Sequence, residues 1–282
     1  MDPITTLAIS SAIGGAAGSF VKEISTNGVK WLIELVTTQS TEMQEIAKRN
    51  MENFVIRLAQ RVERLEKDID PSQAFVFEDA LKHPSSALLI KGAMIDAAAT
   101  ENQDKHEILS ELIAQRLTAG ADDMIALAGA AACNVVTSLS SRQIKALAVL
   151  VTTHAVRPLV PPTINDGAQA AVVVEKWWSD NLGPLLANSD FAASNNLDFE
   201  HLAAMGCIRI SIGLQNFSEV LVSGIVQPNP AANVDSFKGK AWFDSINSKW
   251  ELLGHATPTS IGQLIGILHR DAKLGSSTKI NW

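Results

Sequence analysis

The feature that most constrains the fold is an apolar pattern between residues 42 and 69. Apolar side chains recur there in steps of three or four residues, at Ala47, Met51, Phe54, Leu58, Val62, Leu65 and Ile69. This spacing places one apolar stripe along an amphipathic helix, and it is typical of the seam of a coiled coil or a helical hairpin. We therefore predict a long helix here that packs against at least one other helix.

Helical periodicity continues through the next hundred residues, interrupted by helix start and stop signals. The clearest start is Leu139-Ser140-Ser141-Arg142-Gln143, in which Ser140 and Gln143 form a capping box. The helix that follows is predicted to run to about Val156. The fold class is therefore predicted to be mainly α, a multi-helix bundle with a long N-terminal helical hairpin.

The pattern changes after Asn195. A short helix at 196–205 is followed by a turn at Gly206, and alternation at 207–212 predicts a strand. A second strand is predicted at 250–253 and a final helix at 259–273. This order predicts a small α+β winged-helix-like module at the C-terminus.

Three prolines between Arg157 and Asp166 indicate a linker. We therefore predict a helical domain with the N-terminal hairpin over residues 1–156. A linker and connecting helix would span 157–194, and the winged-helix-like module 195–282.

Composition disfavours several classes of protein. The net charge is −7 and there is no long run of Lys or Arg, so nucleic acid is an unfavourable partner. The two cysteines, Cys133 and Cys207, lie among small apolar residues, which favours buried thiols over a disulfide framework or a zinc site. The N-terminus lacks the basic start of a signal peptide, which predicts a cytoplasmic protein.

The N-terminal segment combines apolar periodicity with small residues. Ser10, Gly14 and Gly18 recur every four residues, while Phe20 lies on the apolar face and Trp31 on its amphipathic continuation. No charge occurs from Pro3 to Gly18, yet the stretch is more polar and richer in glycine than a typical membrane-spanning helix. A groove of small residues lets another backbone approach closely.

Three interpretations of this segment stay open: tight packing within the chain, self-association, and membrane insertion after a conformational change. Tight packing within the chain is the preferred interpretation. Self-association or membrane contact would use Ser10, Gly14, Gly18, Phe20 and Trp31.

A short basic stripe, Arg57, Arg61 and Arg64, lies on the long predicted helix. It offers contacts to acidic lipid or phosphate. However, Glu63, Glu66 and Asp68 interleave with it, so a solvated helix face is the preferred interpretation.

No pattern of residues indicates catalysis. The six histidines have no cysteine or histidine partners at metal-ligand spacing, and His106 falls in a charged run that predicts a solvated side chain. There is no G-x-S-x-G nucleophile elbow, and neither a phosphate-binding loop nor a dinucleotide fingerprint. We predict a protein without an enzymatic activity, a cofactor or a metal.

Several short motifs are built of helix starts and turns: Ile69-Asp70-Pro71, Leu109–Ala114, Leu139-Ser140-Ser141, Leu202–Ile208 and Thr257–Gly262. In these motifs the chain resembles the bacterial abortive-infection alpha (Abi-alpha) proteins and related uncharacterised families. The resemblance brings no catalytic residues with it. It implies a role in phage defence or growth arrest at a membrane.

Two functions follow as hypotheses. The first is a non-enzymatic defence protein that acts by self-association or membrane perturbation through its N-terminal glycine-rich helix. The second is a soluble module that binds a partner protein or senses a ligand. An enzyme of unrecognised type and a DNA-binding module are less favoured alternatives.

Overall fold

The computed structural model describes residues 39–68, 79–80, 83–118, 123–158, 160–161, 163–187, 190–222 and 231–278. The chain divides between Ser138 and Leu139 into two compact units. The predicted boundaries after residues 156 and 194 both lie within the second unit. Most of the described residues are helical, and their only β-structure is one two-stranded sheet, which confirms a mainly α protein.

The first unit is a bundle of helices. Its described helices are α1 (Thr41–Asp68), α2 (Pro84–Ala98), α3 (Gln103–Thr118) and α4 (Met124–Val136). The predicted long helix is confirmed as α1, and Met51, Phe54 and Leu58 from its apolar stripe are buried where α1 packs against α2 and α3. The partner arm of the predicted hairpin lies outside the described residues.

The prediction that His106 is solvated is wrong. Its side chain is completely buried at the start of α3, edge-on to the ring of Phe54. Its Nε2 donates to the backbone oxygen of Ala97, in the last turn of α2, at 3.0 Å, and to that of Thr100, two residues past the helix, at 2.9 Å. These hydrogen bonds offset the cost of burying a polar ring.

The second unit contains seven described α-helices, one 3-10 helix and the sheet. In chain order they are α5 (Ser141–His154), α6 (Gly167–Leu186), α7 (Asn196–Ala204), β1 (Ile208–Ile210), α8 (Phe217–Val222), the 3-10 helix (Ala231–Phe237), α9 (Ala241–Asn247), α10 (Trp250–Leu253), β2 (Ala256–Pro258) and α11 (Ser260–Leu274).

Helix α5 forms the centre of this unit. The predicted capping box is confirmed, since Ser140 accepts from the backbone of Gln143 and the Gln143 side chain accepts from the backbone of Ser140. Every residue from Gln143 to Thr153 is buried. Helix α11 packs along α5, and this contact is close because α11 presents Gly266 to the α5 backbone.

The first predicted strand and the final helix are confirmed as β1 and α11, but the second strand lies elsewhere. Residues 250–253 form the helical turn α10, because Trp250 and Leu253 are both buried three residues apart while Glu251 is exposed. Strand β2 begins at Ala256 and pairs antiparallel with β1, with Ile210 opposite Ala256 and Ile208 opposite Pro258.

Candidate binding cleft

The residues predicted for self-association or membrane contact, Ser10, Gly14, Gly18, Phe20 and Trp31, lie outside the described residues. Their role therefore stays a prediction from the sequence. Among the described residues, no helix is both long enough and apolar enough to cross a bilayer.

The predicted basic stripe is not a solvated face along its whole length. Arg57 bonds to Glu107 at 2.5 Å, and Arg61 bonds to Glu111 at 2.6 Å and also to Glu107. The Arg61 side chain is only 10% exposed, whereas Arg64 is exposed. The sequence pattern hid this because the acidic partners lie on another helix, about 50 residues away.

The electrostatics of this cluster serve the packing of α1 against α3. Burial alone would raise the pKa of Glu107, but the charges of Arg61 and Arg57 and their hydrogen bonds outweigh burial and lower that pKa. Because both guanidinium groups are already engaged, Arg57 and Arg61 are poorly placed to receive a lipid or nucleic-acid phosphate.

The second unit contains an open cleft of about 830 Å³. Its walls are formed by the first half of α7, by the end of β1 with the residues that follow it, and by the segment 248–255. Leu197 and Glu200 come from the first wall, and Ile210 and Ile212 from the second. Glu251, Lys249 and His255 line the third wall.

Local bonds hold α7 in place beside the cleft. Asn195 and Asp198 form a reciprocal capping box, in which Asn195 accepts from the backbone of Asp198 and Asp198 accepts from the backbone of Asn195. The Asp198 carboxylate is also held by Arg142 of α5 at 2.8 Å. The wall formed by α7 is therefore anchored to the centre of the unit.

Further contacts tie the walls of the cleft together. The Lys249 ammonium donates to the backbone oxygen of Ser194 at 2.9 Å, which joins the segment before α10 to the start of α7. On the β1 side, the Ser211 backbone donates to the His255 oxygen at 2.8 Å. These hydrogen bonds between the walls indicate a pre-formed cleft.

The rim of the cleft is apolar and exposed. Leu197 is 73% exposed, Ile210 is 55% exposed and Ile212 is fully exposed, and the nearby Leu214 is also exposed. Single exposed apolar residues are common on protein surfaces, but three that line one cleft are typical of an interaction site.

The cleft also carries a net negative charge. Glu200 and Glu251 are exposed, and neither carboxylate forms an ion pair with another of the described residues. Lys249 brings one positive charge, but its ammonium is bound to the carbonyl of Ser194. The surface is therefore complementary to a ligand that has both apolar and basic groups.

Burial shifts the pKa of three titratable groups outside the cleft. Burial raises the pKa of Cys133 and of Cys207 to about 12, so both thiols are protonated at neutral pH. His154 is stacked on Trp250, and burial lowers its pKa to about 4. No group of three or more His, Cys, Asp or Glu side chains within the described ranges is placed to hold a metal ion.

Sequence reasoning missed the cleft, although one signal was present. The alternation of Ile208, Ile210 and Ile212 continues past the last residue of the strand. A strand that only covers a core would bury all three side chains, but only Ile208 is buried. Alternation shows which residues share a face of a strand and cannot show where the core ends.

Comparison with known proteins identifies a family but no characterised relative. A model of an uncharacterised protein family matches residues 18–227, about three quarters of the chain. No curated protein and no solved structure matches the chain significantly. The match covers the whole first unit from residue 18 onward and the second unit as far as the residues after α8, including α7 and β1. The chain therefore belongs to this family of uncharacterised proteins.

Proposed function

We propose that the protein is non-enzymatic and acts by binding a partner protein through the cleft of its second unit. The observation that carries this proposal is the exposed apolar rim formed by Leu197, Ile210 and Ile212 around a concave surface. Solvent exposure of these side chains is unfavourable by about 25 cal/mol per Å² of apolar surface, and a partner that covers them recovers this free energy.

The charges of the cleft define the chemistry of the partner. Glu200 and Glu251 favour a segment that carries Lys or Arg next to apolar side chains. The net charge of −7 disfavours a second copy of this chain as the occupant and favours a basic partner. An apolar and basic segment of another protein is therefore the proposed ligand.

We also propose that the C-terminal part of the second unit is a winged-helix-like module. The order α7, β1, β2, α11 and the antiparallel pairing of the strands support a winged-helix-like arrangement. The connection between the strands is long and carries α8 to α10. A helix that reads DNA offers basic or amide side chains, whereas α7 carries Asp198 and Glu200, so we propose a protein-binding role for this module.

Selection from a library of random twelve-residue peptides tests the cleft directly. The selecting protein is the full chain, and each enriched peptide is then measured against the double variant Leu197→Lys/Ile212→Lys. We expect peptides with apolar and basic residues whose affinity falls at least about tenfold in this variant, since it places two charges on the apolar rim.

The matched control for this selection is Val172→Lys on α6, which adds a charge at another exposed apolar residue of the same unit. This variant is expected to bind the peptides as the unaltered protein does. If the enriched peptides bind the cleft variant as tightly as they bind the unaltered protein, the cleft is not the binding site and the proposal fails.

The role in phage defence is a second proposal, and it rests on the sequence. The resemblance to Abi-alpha proteins and the uncharged, glycine-interrupted segment before Phe20 support self-association or membrane perturbation. Replacing both Gly14 and Gly18 by leucine fills the groove of small residues, so we expect this variant to lose assembly or toxicity.

Sedimentation measures the assembly of the Gly14→Leu/Gly18→Leu variant. The leakage that the variant causes in anionic liposomes measures its perturbation of membranes. The control is Ser25→Leu, which lies between the small-residue groove and Trp31 and adds one leucine outside the four-residue repeat. Sedimentation and leakage equal to those of the unaltered chain would remove this proposal and leave the cleft proposal intact.

A further inference from the structure

The two edges of the small sheet differ in their ability to accept another strand. Strand β2 places Pro258 opposite Ile208, and proline has no N–H to donate. Helix α5 packs against β2, as α7 packs against β1. The proline is what distinguishes the outer edge of β2, because a missing N–H is one device by which proteins protect sheet edges.

The outer edge of β1 is arranged differently. The Thr259 backbone donates to the Cys207 oxygen at 2.9 Å, and the Ser211 backbone donates to the His255 oxygen at 2.8 Å. The Cys207 oxygen and the Ser211 N–H therefore face the β2 side of the sheet, while the Cys207 N–H donates to the Leu202 oxygen. Because bonded and non-bonded pairs alternate in an antiparallel ladder, Ile210 turns its N–H and C=O toward the outer edge.

This edge borders the cleft. Both Ile210 and Ile212 line it, and their side chains are exposed. Ile212 lies two residues past the end of β1 and continues the alternation of the sequence there. Backbone donors and acceptors, apolar side chains and the carboxylates of Glu200 and Glu251 thus meet on one concave surface. These are the groups that a domain presents when it binds a peptide as an added strand.

We propose that the cleft binds its partner as an extended segment that adds a strand to the outer edge of β1, with apolar and basic side chains alternating along the segment. This inference rests on the proposed function of the cleft and names the conformation and chemistry of the ligand. Main-chain hydrogen bonds to Ile210 and Ile212 would position the segment. The alternating side chains would contact the apolar rim and the two glutamates.

The test uses three fluorescein-labelled nine-residue peptides and the full chain, with binding followed by fluorescence anisotropy. The first peptide alternates valine and lysine, the second has the same sequence with every second amide N-methylated, and the third replaces each lysine by glutamate. We expect the first peptide to bind at least about tenfold more tightly than either of the others, since methylation removes edge hydrogen bonds and glutamate reverses the charge complementarity.

Two protein variants locate the binding to the edge of β1. Ile212→Pro removes a backbone donor from an exposed residue beyond the strand, and it keeps Ser211 extended because a residue before proline favours the β region. This variant is expected to bind the valine–lysine peptide at least about fivefold more weakly than the unaltered protein does. Glu200→Gln/Glu251→Gln is expected to reduce the preference for lysine over glutamate peptides. Val172→Lys is again the control.

The outcomes separate this inference from the proposed function. The N-methylated peptide could bind as tightly as its parent, with the binding of both peptides lost in the Leu197→Lys/Ile212→Lys variant. The cleft would then bind partners without strand addition, and only this inference would be overturned. It is also overturned if no valine–lysine peptide binds while library peptides bind the cleft. Both fail if neither the designed nor the library peptides depend on the cleft.

Discussion

Replacing Gly262 by alanine is expected to lower the free energy of unfolding of the second unit by about 3 kcal/mol or more. An added Cβ at this position would lie 1.9 Å from the carbonyl oxygen of Cys207 and 2.8 Å from its carbonyl carbon. Both are backbone atoms, so no side-chain rotation relieves the clash. The same Cys207 oxygen accepts the backbone N–H of Thr259 at the start of α11, and displacing the helix would weaken that bond as well.

Gly266→Ala is expected to lower the free energy of unfolding of the second unit by a similar amount. Its Cβ would lie 2.6 Å from the Leu147 carbonyl oxygen and 2.7 Å from Cγ2 of Val151, both on α5. The two glycines, four residues apart, thus let α11 approach both Cys207 and α5 closely at the centre of the unit.

Urea unfolding of each variant, followed by tryptophan fluorescence, measures these losses. Trp177, Trp178, Trp242 and Trp250 all lie in the second unit and report mainly on it. The control is Gly92→Ala in α2, where an added Cβ meets no atom within 4 Å. Alanine there is expected to stabilise the first unit by about 0.5–1 kcal/mol, measured by far-ultraviolet circular dichroism. A Gly262→Ala midpoint equal to that of the unaltered protein would contradict the close approach.

The second unit is expected to lose stability as the pH falls from about 6.5 to about 4, because of His154. Burial, reinforced by the charge of Arg157, lowers the pKa of this histidine to about 4, and a hydrogen bond with the Leu253 backbone opposes the shift only in part. The unfolded chain protonates His154 near its ordinary pKa of 6.5, so between these values it binds a proton that the folded protein does not.

The contribution of His154 is therefore fully present above pH 6.5 and is lost as the pH falls toward 4. The loss is expected to be on the order of 2–3 kcal/mol, because one pKa unit corresponds to about 1.4 kcal/mol. The first unit is expected to follow the same direction, since burial also lowers the pKa of His106. The stabilisation from Glu107, whose pKa is lowered, is present above its ordinary pKa of 4.5 and is lost only in a more acidic range.

Urea unfolding between pH 4 and pH 8 distinguishes these contributions. His154→Phe removes the titrating group and keeps an aromatic ring beside Trp250, which stacks on His154 with ring planes 4° apart. We expect the variant to show a flatter dependence of stability on pH between 4 and 6.5, read from tryptophan fluorescence. An unchanged slope in that range would assign the acid sensitivity to other groups.

The sequence determined the parts of the fold that depend on short-range patterns. The apolar stripe of α1 and the capping box of Ser140 with Gln143 both predicted structure that is observed, because each depends on residues within one or two helical turns. The turn at Gly206 is also observed, and its φ of 70° explains why glycine is needed there.

The prediction of close backbone approach was made from glycines at 14 and 18, while the described close approach is at Gly262 and Gly266. A four-residue spacing of small residues shows that a helix can accept a close neighbour, but the neighbour is not encoded nearby. At Gly266 it is Leu147, which lies 119 positions earlier in the chain.

The properties that only the tertiary structure decided all depend on residues distant in sequence. The helix pattern predicted Arg61 on a solvated face, but Glu107 and Glu111 of another helix pair with it. The His106 ring, also predicted to be solvated, is buried and bonded to the backbone oxygens of Ala97 and Thr100. The cleft likewise needs α7, β1 and the segment 248–255 together. Periodicity within a helix or strand indicates which side chains share a face. Burial, ion pairing and the accessibility of a strand edge depend instead on which residues pack against that face.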